Sequence, residues 1–320
     1  MLRTRCFLIL FLFLVSGCIH IDLFPGGGKL QEAVISGEGK DKVLLIDISG
    51  MLTTGKASSI LEEPSLPARI KEELTKAEKD EHIKAIVLRI NTPGGSVTAS
   101  DLVYHELRVF KKKRHVPVIA AIMDLGTSGG YYIAMAADHI LAHPSTITGS
   151  IGVIMVTMNA EGLLEKVGVL PATIVSGPKK SMGSPFRPMD DEERAIFQGT
   201  IDHLFEQFLS VVKEGRPGLS MEQIRMLADG RIFTADIAKA KGLVDSIGYL
   251  DEAIDLAKKE AKLEQAKVVT YTRGGRTHQN IYSQFDPPQI GPIGFPQVDA
   301  HSLFNILTGG TPQMLYMWMP

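Results

Sequence analysis

A serine in a glycine-rich turn is the residue of this chain best placed to do chemistry. Ser128 lies in the stretch Asp124–Tyr132, after the apolar run Val118–Met123 and before Tyr131–Ala137, which is typical of a helix start. A serine between a strand and a helix has free backbone N–H groups beside it, and these favour a negatively charged tetrahedral intermediate. The stretch therefore indicates a nucleophilic serine. A helix N-cap serine in a plain glycine turn is the alternative.

Apolar strands and helices alternate around this turn. Val43–Ile48, Ala85–Ile90 and Val118–Met123 are nearly continuous apolar runs, typical of strands that are covered on both faces. A helix is expected from about Ser100, and the Ser128 turn leads into another. The order strand–loop–helix thus occurs twice, and each loop carries a Gly-Gly pair. This pattern predicts a parallel α/β fold whose ligands bind at the C-terminal ends of the strands.

Composition and charge narrow the range of functions. The chain has 320 residues, 44% of them hydrophobic, which is enough for one large core or two modest ones. A net charge of −2 with mixed signs gives no basic surface for nucleic acid. His139 and His143 have i,i+4 spacing, but Pro144 and the neighbouring apolar run argue against a metal-binding helix face. The sequence contains no phosphate-binding loop either, and we expect no cofactor.

The N-terminus has the features of an export signal that ends on a lipidated cysteine. Two arginines precede the apolar run Phe7–Val15, which is too short to span a bilayer as a stable helix. The next residues, Val15–Cys18, resemble the bacterial lipobox. This resemblance implies removal of residues 1–17 and acylation of Cys18. Ordinary signal cleavage, with the cysteine incidental, is the alternative.

The remainder of the chain divides into a tether, a core and a tail. Residues 18–42 show little periodicity and are expected to form a tether. Residues 43–262 form the predicted core, which includes an expected strand at Ala172–Val175. Residues 263–320 comprise a last strand and a tail rich in proline and glycine, closed by the apolar run Met314–Met319. We expect this run either to pack on its own domain or to dock on a neighbouring subunit.

Four short motifs follow the predicted strands in a fixed order. They are Asn91–Val97, Thr127–Tyr132, Gly149–Val153 and Ser176–Ser181. Each motif is weak alone, but together they resemble the ordered motifs of the signal peptide peptidase A family, the S49 serine peptidases. The similarity covers roughly residues 43–262. It implies the fold of Clp protease and crotonase, an α/β core of parallel strands with flanking helices.

The resemblance implies a catalytic Ser–Lys dyad with Ser128 as nucleophile. A serine hydroxyl needs a base to take its proton, and a lysine amine does this only when it is neutral, which burial among apolar groups favours. The family motif selects Lys180, just before Ser181, as the base. Neighbours in an extended segment point to opposite sides, so we expect Lys179 in solvent. Without the family, the Lys-Lys pair would be interpreted as two solvated charges.

The same resemblance implies roles for three further residues. Gly95 and Gly129 would supply the N–H groups of the oxyanion hole, and Ser150 would hydrogen-bond the lysine and hold its orientation. One oxyanion donor lowers the barrier by about 3–4 kcal/mol in a comparable enzyme. Each residue also has a simpler interpretation, because glycine suits any tight turn and Ser150 could be a turn residue at the start of a strand.

Two other classes of protein remain open. Gly126–Gly130 also fits the Gly-x-Ser-x-Gly nucleophile elbow of α/β-hydrolases, which include esterases. That fold needs a histidine downstream, and the only late ones, His278 and His301, lie in the tail. Loss of activity on replacing the histidines would favour this alternative over a dyad. The second alternative is a membrane-anchored scaffold that binds peptides, and an unreactive Ser128 would favour it.

We therefore predict a lipid-anchored serine endopeptidase of the bacterial cell envelope, facing the periplasm or the exterior. The family role implied is the cleavage of apolar peptides, such as signal peptides left in the membrane after export. An extended peptide of this kind would lie along an exposed strand edge, with pockets taking alternate side chains. The resemblance also implies a homo-oligomeric ring.

Overall fold

The computed structural model describes residues 29–55, 64–273, 280–283 and 314–319. The predicted signal peptide and Cys18 lie outside these residues, so the predicted lipidation remains a prediction. Among the described helices, none combines the length and the apolar character needed to cross a membrane.

Strands and helices alternate along the described chain. The strands are β1 (Gln31–Ser36), β2 (Lys42–Ser49), β3 (Ile83–Thr92), β4 (Gly94–Ser96), β5 (Val118–Thr127), β6 (His139–Ala142), β7 (Ile147–Gly149), β8 (Ile154–Met155), β9 (Ile232–Thr234), β10 (Ser246–Ile247), β11 (Lys267–Thr272) and β12 (Met314–Met317). The helices are α1 (Leu66–Glu78), α2 (Val97–Arg114), α3 (Gly129–Ala134), α4 (Glu161–Lys166), α5 (Asp191–Gly215), α6 (Met221–Leu227), α7 (Ala235–Ala240) and α8 (Leu250–Glu260).

A nine-stranded, mostly parallel sheet forms the centre of the fold. Its strand order is β1-β11-β2-β3-β5-β6-β10, and β7 and β9 continue it beyond the end of β5. Every neighbouring pair is parallel except β1 with β11 and β7 with β9. Helices pack on both faces, so both sets of alternating side chains in β2, β3 and β5 are buried. The predicted class, an α/β core of parallel strands with flanking helices, is confirmed.

Burial on both faces explains why the central strands have continuous apolar runs. In β2, Leu44 and Ile46 pack in a core with helices α1, α2 and α5, while Val43 and Leu45 pack in a second core with α8. A strand that faces two apolar layers needs no polar side. The pattern that identified these strands in the sequence is therefore a direct result of the three-layer arrangement.

Strand β1 corrects the expectation that residues 18–42 form a tether. Gln31–Ser36 pairs antiparallel with β11 at the edge of the sheet. Its side chains alternate between exposed and half-buried, and Val34 is half exposed. A short edge strand that buries so little gives almost no hydrophobic signal in the sequence.

Residues 172–175, expected as a strand, form no regular secondary structure and are all exposed.

Residues 152–192, which we call the arm, bury none of their side chains in this chain. The arm contains β8 and the short helix α4, and it carries Lys179 and Lys180. Eight large apolar side chains of the arm are at least 40% exposed: Val156, Met158, Leu163, Val167, Val169, Leu170, Ile174 and Val175. An apolar surface of this size is typical of a segment that packs against another molecule.

The apolar run at the C-terminus packs on its own chain in this structure. Strand β12 pairs antiparallel with β4 on one side and with β8 on the other, which forms a separate three-stranded sheet. The tail thus bridges two strands that the rest of the chain leaves apart. This arrangement matches the first of the two expectations for Met314–Met319, namely that the run packs on its own domain.

Candidate active site

Ser128 lies at a sharp turn between the end of β5 and the start of α3. Its backbone has φ 52° and ψ −113°, a conformation that residues other than glycine rarely adopt. Such a backbone costs on the order of 1–3 kcal/mol. The residue is 1% exposed, and its Oγ atom has no hydrogen-bond partner among the described residues. An unpaired, buried hydroxyl on a strained turn is expected of a reactive group rather than of a helix cap.

The backbone of Ser128 is fixed from both sides. Its amide donates to the carbonyl of Gly149 at 2.7 Å, because β7 runs parallel to the end of β5. Its carbonyl accepts from the Tyr132 amide at 2.9 Å, which is the first hydrogen bond of α3. Its side chain makes no N-cap hydrogen bond to the helix. The turn is therefore held by its main chain, and Oγ is left for other contacts.

A second glycine turn, Gly94–Gly95, lies against the first. The Leu52 amide donates to the Gly94 carbonyl at 2.9 Å, and the Ser96 amide donates to the Leu52 carbonyl at 2.7 Å. These two hydrogen bonds lie on one side of Gly95, and the Gly95 amide points to the other side. A Cβ atom on Gly94 would lie 2.8 Å from the Gly129 nitrogen, and one on Gly95 would collide with the Leu52 carbonyl. The structure thus brings Gly95 and Gly129 together and leaves no room for a side chain there.

The Thr92 side chain stabilises this second turn through two hydrogen bonds. Its Oγ1 atom accepts from the Gly94 amide at 3.0 Å and donates to the Gly50 carbonyl at 2.5 Å. Residues 50–52 therefore support the turn through three backbone contacts. The local sequence does not predict this role, because Met51 and Leu52 after β2 belong to no periodic pattern. Only the fold shows that Leu52 pairs with Gly95.

The carbonyl of Tyr316 lies beside both predicted oxyanion donors. The Trp318 amide donates to the Pro93 carbonyl at 2.9 Å, and the register pairs Tyr316 with Gly95. Hydrogen-bonded pairs recur every two residues along an antiparallel ladder, so the Gly95 amide faces the Tyr316 carbonyl. The same carbonyl oxygen lies 3.1 Å from where a Cβ on Gly129 would be. The tail therefore places a peptide carbonyl next to Gly95 and Gly129.

Ser150 lies at the end of β7, directly after the residue that binds the Ser128 amide. Its backbone has φ 49°, and its amide donates to the Arg231 carbonyl at 2.8 Å. It lines a cavity of about 480 Å³ together with residues of α5 and the last residues of the tail, Met317–Met319. Ser150 is thus close to the Ser128 turn. No hydrogen bond of its side chain links it to a lysine among the described residues.

Lys179 and Lys180, which are neighbours in the arm, differ in their surroundings. Lys179 is partly exposed and forms ion pairs with Asp190 at 3.1 Å and Glu192 at 2.8 Å. Hydrogen bonding to Glu192 raises the pKa of Lys179, which keeps this lysine charged. Lys180 is exposed and makes no side-chain hydrogen bond or ion pair within the described chain. Both lie in a turn closed by the Lys180 amide and the Gly177 carbonyl at 3.0 Å, not in the extended segment that we expected.

The predicted dyad is not assembled within this single chain. Because Ser128 Oγ has no hydrogen-bond partner among the described residues, the Lys180 amine is not in contact with it. No described histidine contacts Ser128 either: His139 bonds Ser246 at 2.7 Å, and His143 bonds Ser145 at 2.8 Å. The late histidines that an α/β-hydrolase would need lie outside the described residues.

In the part of the chain that the structure describes, no group of three or more possible metal ligands occurs.

Sequence comparisons place this chain in a known family. The model of peptidase family S49 matches residues 110–264, and the model of the Clp protease matches residues 60–147. A protein of Enterococcus faecium named for signal peptide peptidase SppA is 36% identical over 251 residues, which cover 78% of this chain and 72% of that protein. The chain belongs to peptidase family S49. It is a serine peptidase, and Ser128 lies within both matched regions.

Further relatives carry names of the same kind. A protein of Synechocystis sp. named as a protease is 38% identical over 229 residues, covering 72% of this peptidase and 78% of the relative. Protease 4 of Haemophilus influenzae is 34% identical over 229 residues, which are 72% of this chain but 36% of that protein. Among solved structures, a ClpP1 mutant from Listeria monocytogenes superposes with a TM-score of 0.44, at 20% identity over 66% of this chain and 94% of that chain.

We predict that Gly95→Ala abolishes most of the peptidase activity. The added Cβ would collide with the Leu52 carbonyl and displace the amide that faces the Tyr316 carbonyl. Loss of one oxyanion donor lowers kcat by roughly 10²–10³-fold. Gly55→Ala is the matched control, because nothing lies within 4 Å of its added Cβ. Initial rates of peptide hydrolysis check this, and equal rates for the two variants would contradict it.

We also predict that a chain ending at residue 313 hydrolyses peptides faster than the full chain. Strand β12 occupies the strand edge at Ser128, so an external peptide must displace it. A tethered competitor acts at an effective concentration in the millimolar range, so its removal should lower the apparent KM by roughly tenfold or more. Steady-state kinetics with one fluorogenic peptide measures the change. Identical KM values would show that β12 does not compete.

Proposed function

We propose that this peptidase cleaves extended apolar peptides, such as signal peptides left in the membrane, with a Ser–Lys dyad. The observation that carries this proposal is strand β12, a segment of peptide paired between β4 and β8 with its Tyr316 carbonyl beside Gly95 and Gly129. Strand addition of this kind recognises a peptide mainly by its backbone, with pockets for alternate side chains. The pairing of the tail supports the same position for a substrate peptide.

The residues of the site account for each step of peptide hydrolysis. Ser128 Oγ attacks the peptide carbonyl, its proton passes to a neutral lysine amine, and the carbonyl oxygen becomes an oxyanion that accepts from the Gly95 and Gly129 amides. The C–N bond then breaks, and the lysine ammonium returns its proton to the leaving amine. A water molecule, deprotonated by the same lysine, releases the acid and restores Ser128. No cofactor takes part.

Lys180 is the proposed base, and we propose that a neighbouring copy of the chain supplies it. The arm that carries Lys180 buries nothing in its own chain and exposes a large apolar surface. Packing this surface on a second subunit would bury Lys180 among apolar groups, where the neutral amine is favoured. Lys179 is held charged by its two carboxylates and is unsuited to this role. Ser150, beside the Ser128 turn, would orient the incoming amine.

Repetition of this contact from subunit to subunit gives a homo-oligomeric ring. The arm and the Ser128 cleft are different surfaces, so the contact is heterologous, and such contacts close into rings when the rotation allows it. The match to the Clp protease model is consistent with this assembly. Each active site would then be built from two chains.

Attachment to a membrane would place the peptidase next to its substrates. The lipobox-like residues before Cys18 support acylation of that cysteine, and a lipid chain gains about 0.8 kcal/mol per buried CH₂ group. Two or three chains would anchor the protein stably on the envelope side of a bacterial membrane. A relative named for a signal peptide peptidase supports residual signal peptides as the substrate class.

Three single variants test the dyad. Using protein without residues 1–18, we expect Ser128→Ala and Lys180→Ala each to lower the hydrolysis of an apolar signal-peptide fragment by at least 10³-fold, because each removes a group that the first step requires. Lys179→Ala is the matched control and should retain activity. Rates are measured from pH 6 to 10. An active Lys180→Ala protein together with an inactive histidine variant would favour the α/β-hydrolase alternative.

A mixing experiment tests whether the dyad forms between subunits. Ser128→Ala and Lys180→Ala proteins are inactive alone but are dissociated and reassembled together in equal amounts. If each site takes its serine and its lysine from different chains, about a quarter of the sites in randomly mixed rings regain both groups. A dyad within one chain would give no recovery. Reassembly of each variant with itself is the control.

The apolar arm provides a test of assembly. Leu170 is 83% exposed, so Leu170→Glu should leave the fold of the single chain unchanged. In the assembly the new charge would be buried, which should weaken association by at least tenfold. Lys166→Glu, also on an exposed position of the arm, is the control. Light scattering measures the mass, and a ring of unchanged stability would exclude the arm from the contact.

A further inference from the structure

Strand β5 contains a bulge shortly before Ser128. Strand β3 advances two residues, from Ile90 to Thr92, between successive pairs with β5. Over the same interval β5 advances four residues, from Ile122 to Gly126, so two of its residues are extra. The bulge also marks a change of neighbour, because β5 pairs with β6 before it and with β7 after it. A bulge bends its strand, and bulges beside active sites often re-aim a side chain.

Two threonines on the β7 side bind the backbone of the bulge. The Thr146 hydroxyl lies 2.9 Å from the Ile122 carbonyl and 2.5 Å from the Met123 carbonyl, and its one hydrogen is shared between them. The Thr148 hydroxyl donates to the Gly126 carbonyl at 2.7 Å. Both threonines are buried. Backbone groups that a bulge removes from the ladder need such partners when they are buried.

Asn91 provides the corresponding contact from the β3 side. Its Oδ1 atom accepts from the Leu125 amide at 3.0 Å, in the gap that the bulge opens between the two strands. Asn91 is fully buried, and its own carbonyl accepts from the Gly50 amide at 3.1 Å. A side-chain oxygen thus takes the place of a backbone carbonyl in the ladder. Removing this oxygen would leave the buried Leu125 amide without its partner, which destabilises that part of the strand.

The place of this hydrogen bond along the two strands relates it to the candidate site. Asn91 lies three residues before Gly94, and Leu125 lies three residues before Ser128. Extended residues advance about 3.3 Å each, so the bond lies roughly 10 Å upstream of both turns. It therefore joins the strand that leads to one turn with the strand that leads to the other, just before the turns come into contact.

We propose that Asn91 is a positioning residue for catalysis. Through the Leu125 amide it fixes the bulge of β5, and the bulge determines where the Ser128 turn lies relative to the Gly94–Gly95 turn. The inference rests on the proposed roles of Ser128 and of the oxyanion donors. A displacement of about 1 Å between such groups lowers a rate by roughly 10²-fold. Because Asn91 acts through a backbone amide, its loss should lower kcat and leave KM nearly unchanged.

Two variants of similar size isolate the acceptor oxygen. Asn91→Leu removes Oδ1, whereas Asn91→Asp keeps the shape and an acceptor oxygen in either protonation state. For full-length peptidase and one fluorogenic peptide, we expect Asn91→Leu to lower kcat by roughly 10²-fold with KM within about threefold. Asn91→Asp should keep kcat within about threefold of the unmodified enzyme, because the bond to the Leu125 amide is retained.

Asp138→Leu is the matched control. The Asp138 carboxylate accepts from the Val118 amide at 2.9 Å, so this variant removes a contact of the same kind from the opposite end of β5. Its kcat should not change. An equal loss of kcat in this control, or an Asn91→Leu enzyme with full kcat, would overturn the proposal. If Asn91→Leu does not fold, Asn91→Ser takes its place, because the shorter side chain holds its oxygen back from the Leu125 amide.

Hydrogen exchange separates failure of this inference from failure of the proposed function, because it requires no activity. In Asn91→Leu, amide exchange in residues 125–130 should accelerate roughly tenfold or more. Asn91→Asp and Asp138→Leu should leave exchange in this segment unchanged. If Ser128→Ala keeps its activity while exchange follows this order, Asn91 holds the turn and the proposed nucleophile is wrong. Unchanged exchange in Asn91→Leu would overturn the positioning role.

Discussion

The close approach of two backbone turns is the constraint on which the rest of this site depends. Gly94–Gly95 lies against Ser128–Gly129 with no space for a Cβ atom between them. The contact exists because β3 and β5 are neighbours in a parallel sheet, so both strands deliver their following turns to the same edge. Leu52 and Thr92 then hold one turn, and Gly149 holds the other. Gly95, Ser128 and Gly129 are therefore held close together at one edge of the sheet.

The same arrangement is the basis for our proposal that a single chain lacks part of the active site. The sheet and its helices position the proposed nucleophile and the proposed oxyanion donors, and all of these residues are buried within one chain. The lysine, by contrast, is carried on an arm that has no buried residue. A base that must lose its proton needs an apolar surrounding, and the solvent-exposed arm does not provide one. Association of subunits would thus bury the arm and supply the lysine with its apolar surrounding in the same step.

The sequence was sufficient for the parts of the structure that depend on local pattern. The central strands were predicted because burial on both faces leaves a continuous apolar run, and the turn at Ser128 was predicted from its glycines. β1 and the true conformation of Ala172–Val175 were missed because an edge strand and an exposed segment bury too little to leave one. The same difference applies to the candidate site. The glycine turns could be recognised as sequence motifs. Leu52 and Tyr316 pair with Gly95 from distant parts of the chain, and no local pattern predicts such pairing.

The left-handed backbone of Ser128 has a consequence for the protein as a whole. A residue with a Cβ atom at φ 52° and ψ −113° destabilises the folded state, whereas glycine would adopt the same turn without that cost. Replacing Ser128 by glycine should therefore give a protein that melts at a higher temperature than the unmodified enzyme. The hydrogen bonds around the turn must supply enough free energy to hold Ser128 in this conformation. Thermal stability and catalytic competence are opposed at this one position, and the native residue is the less stable choice.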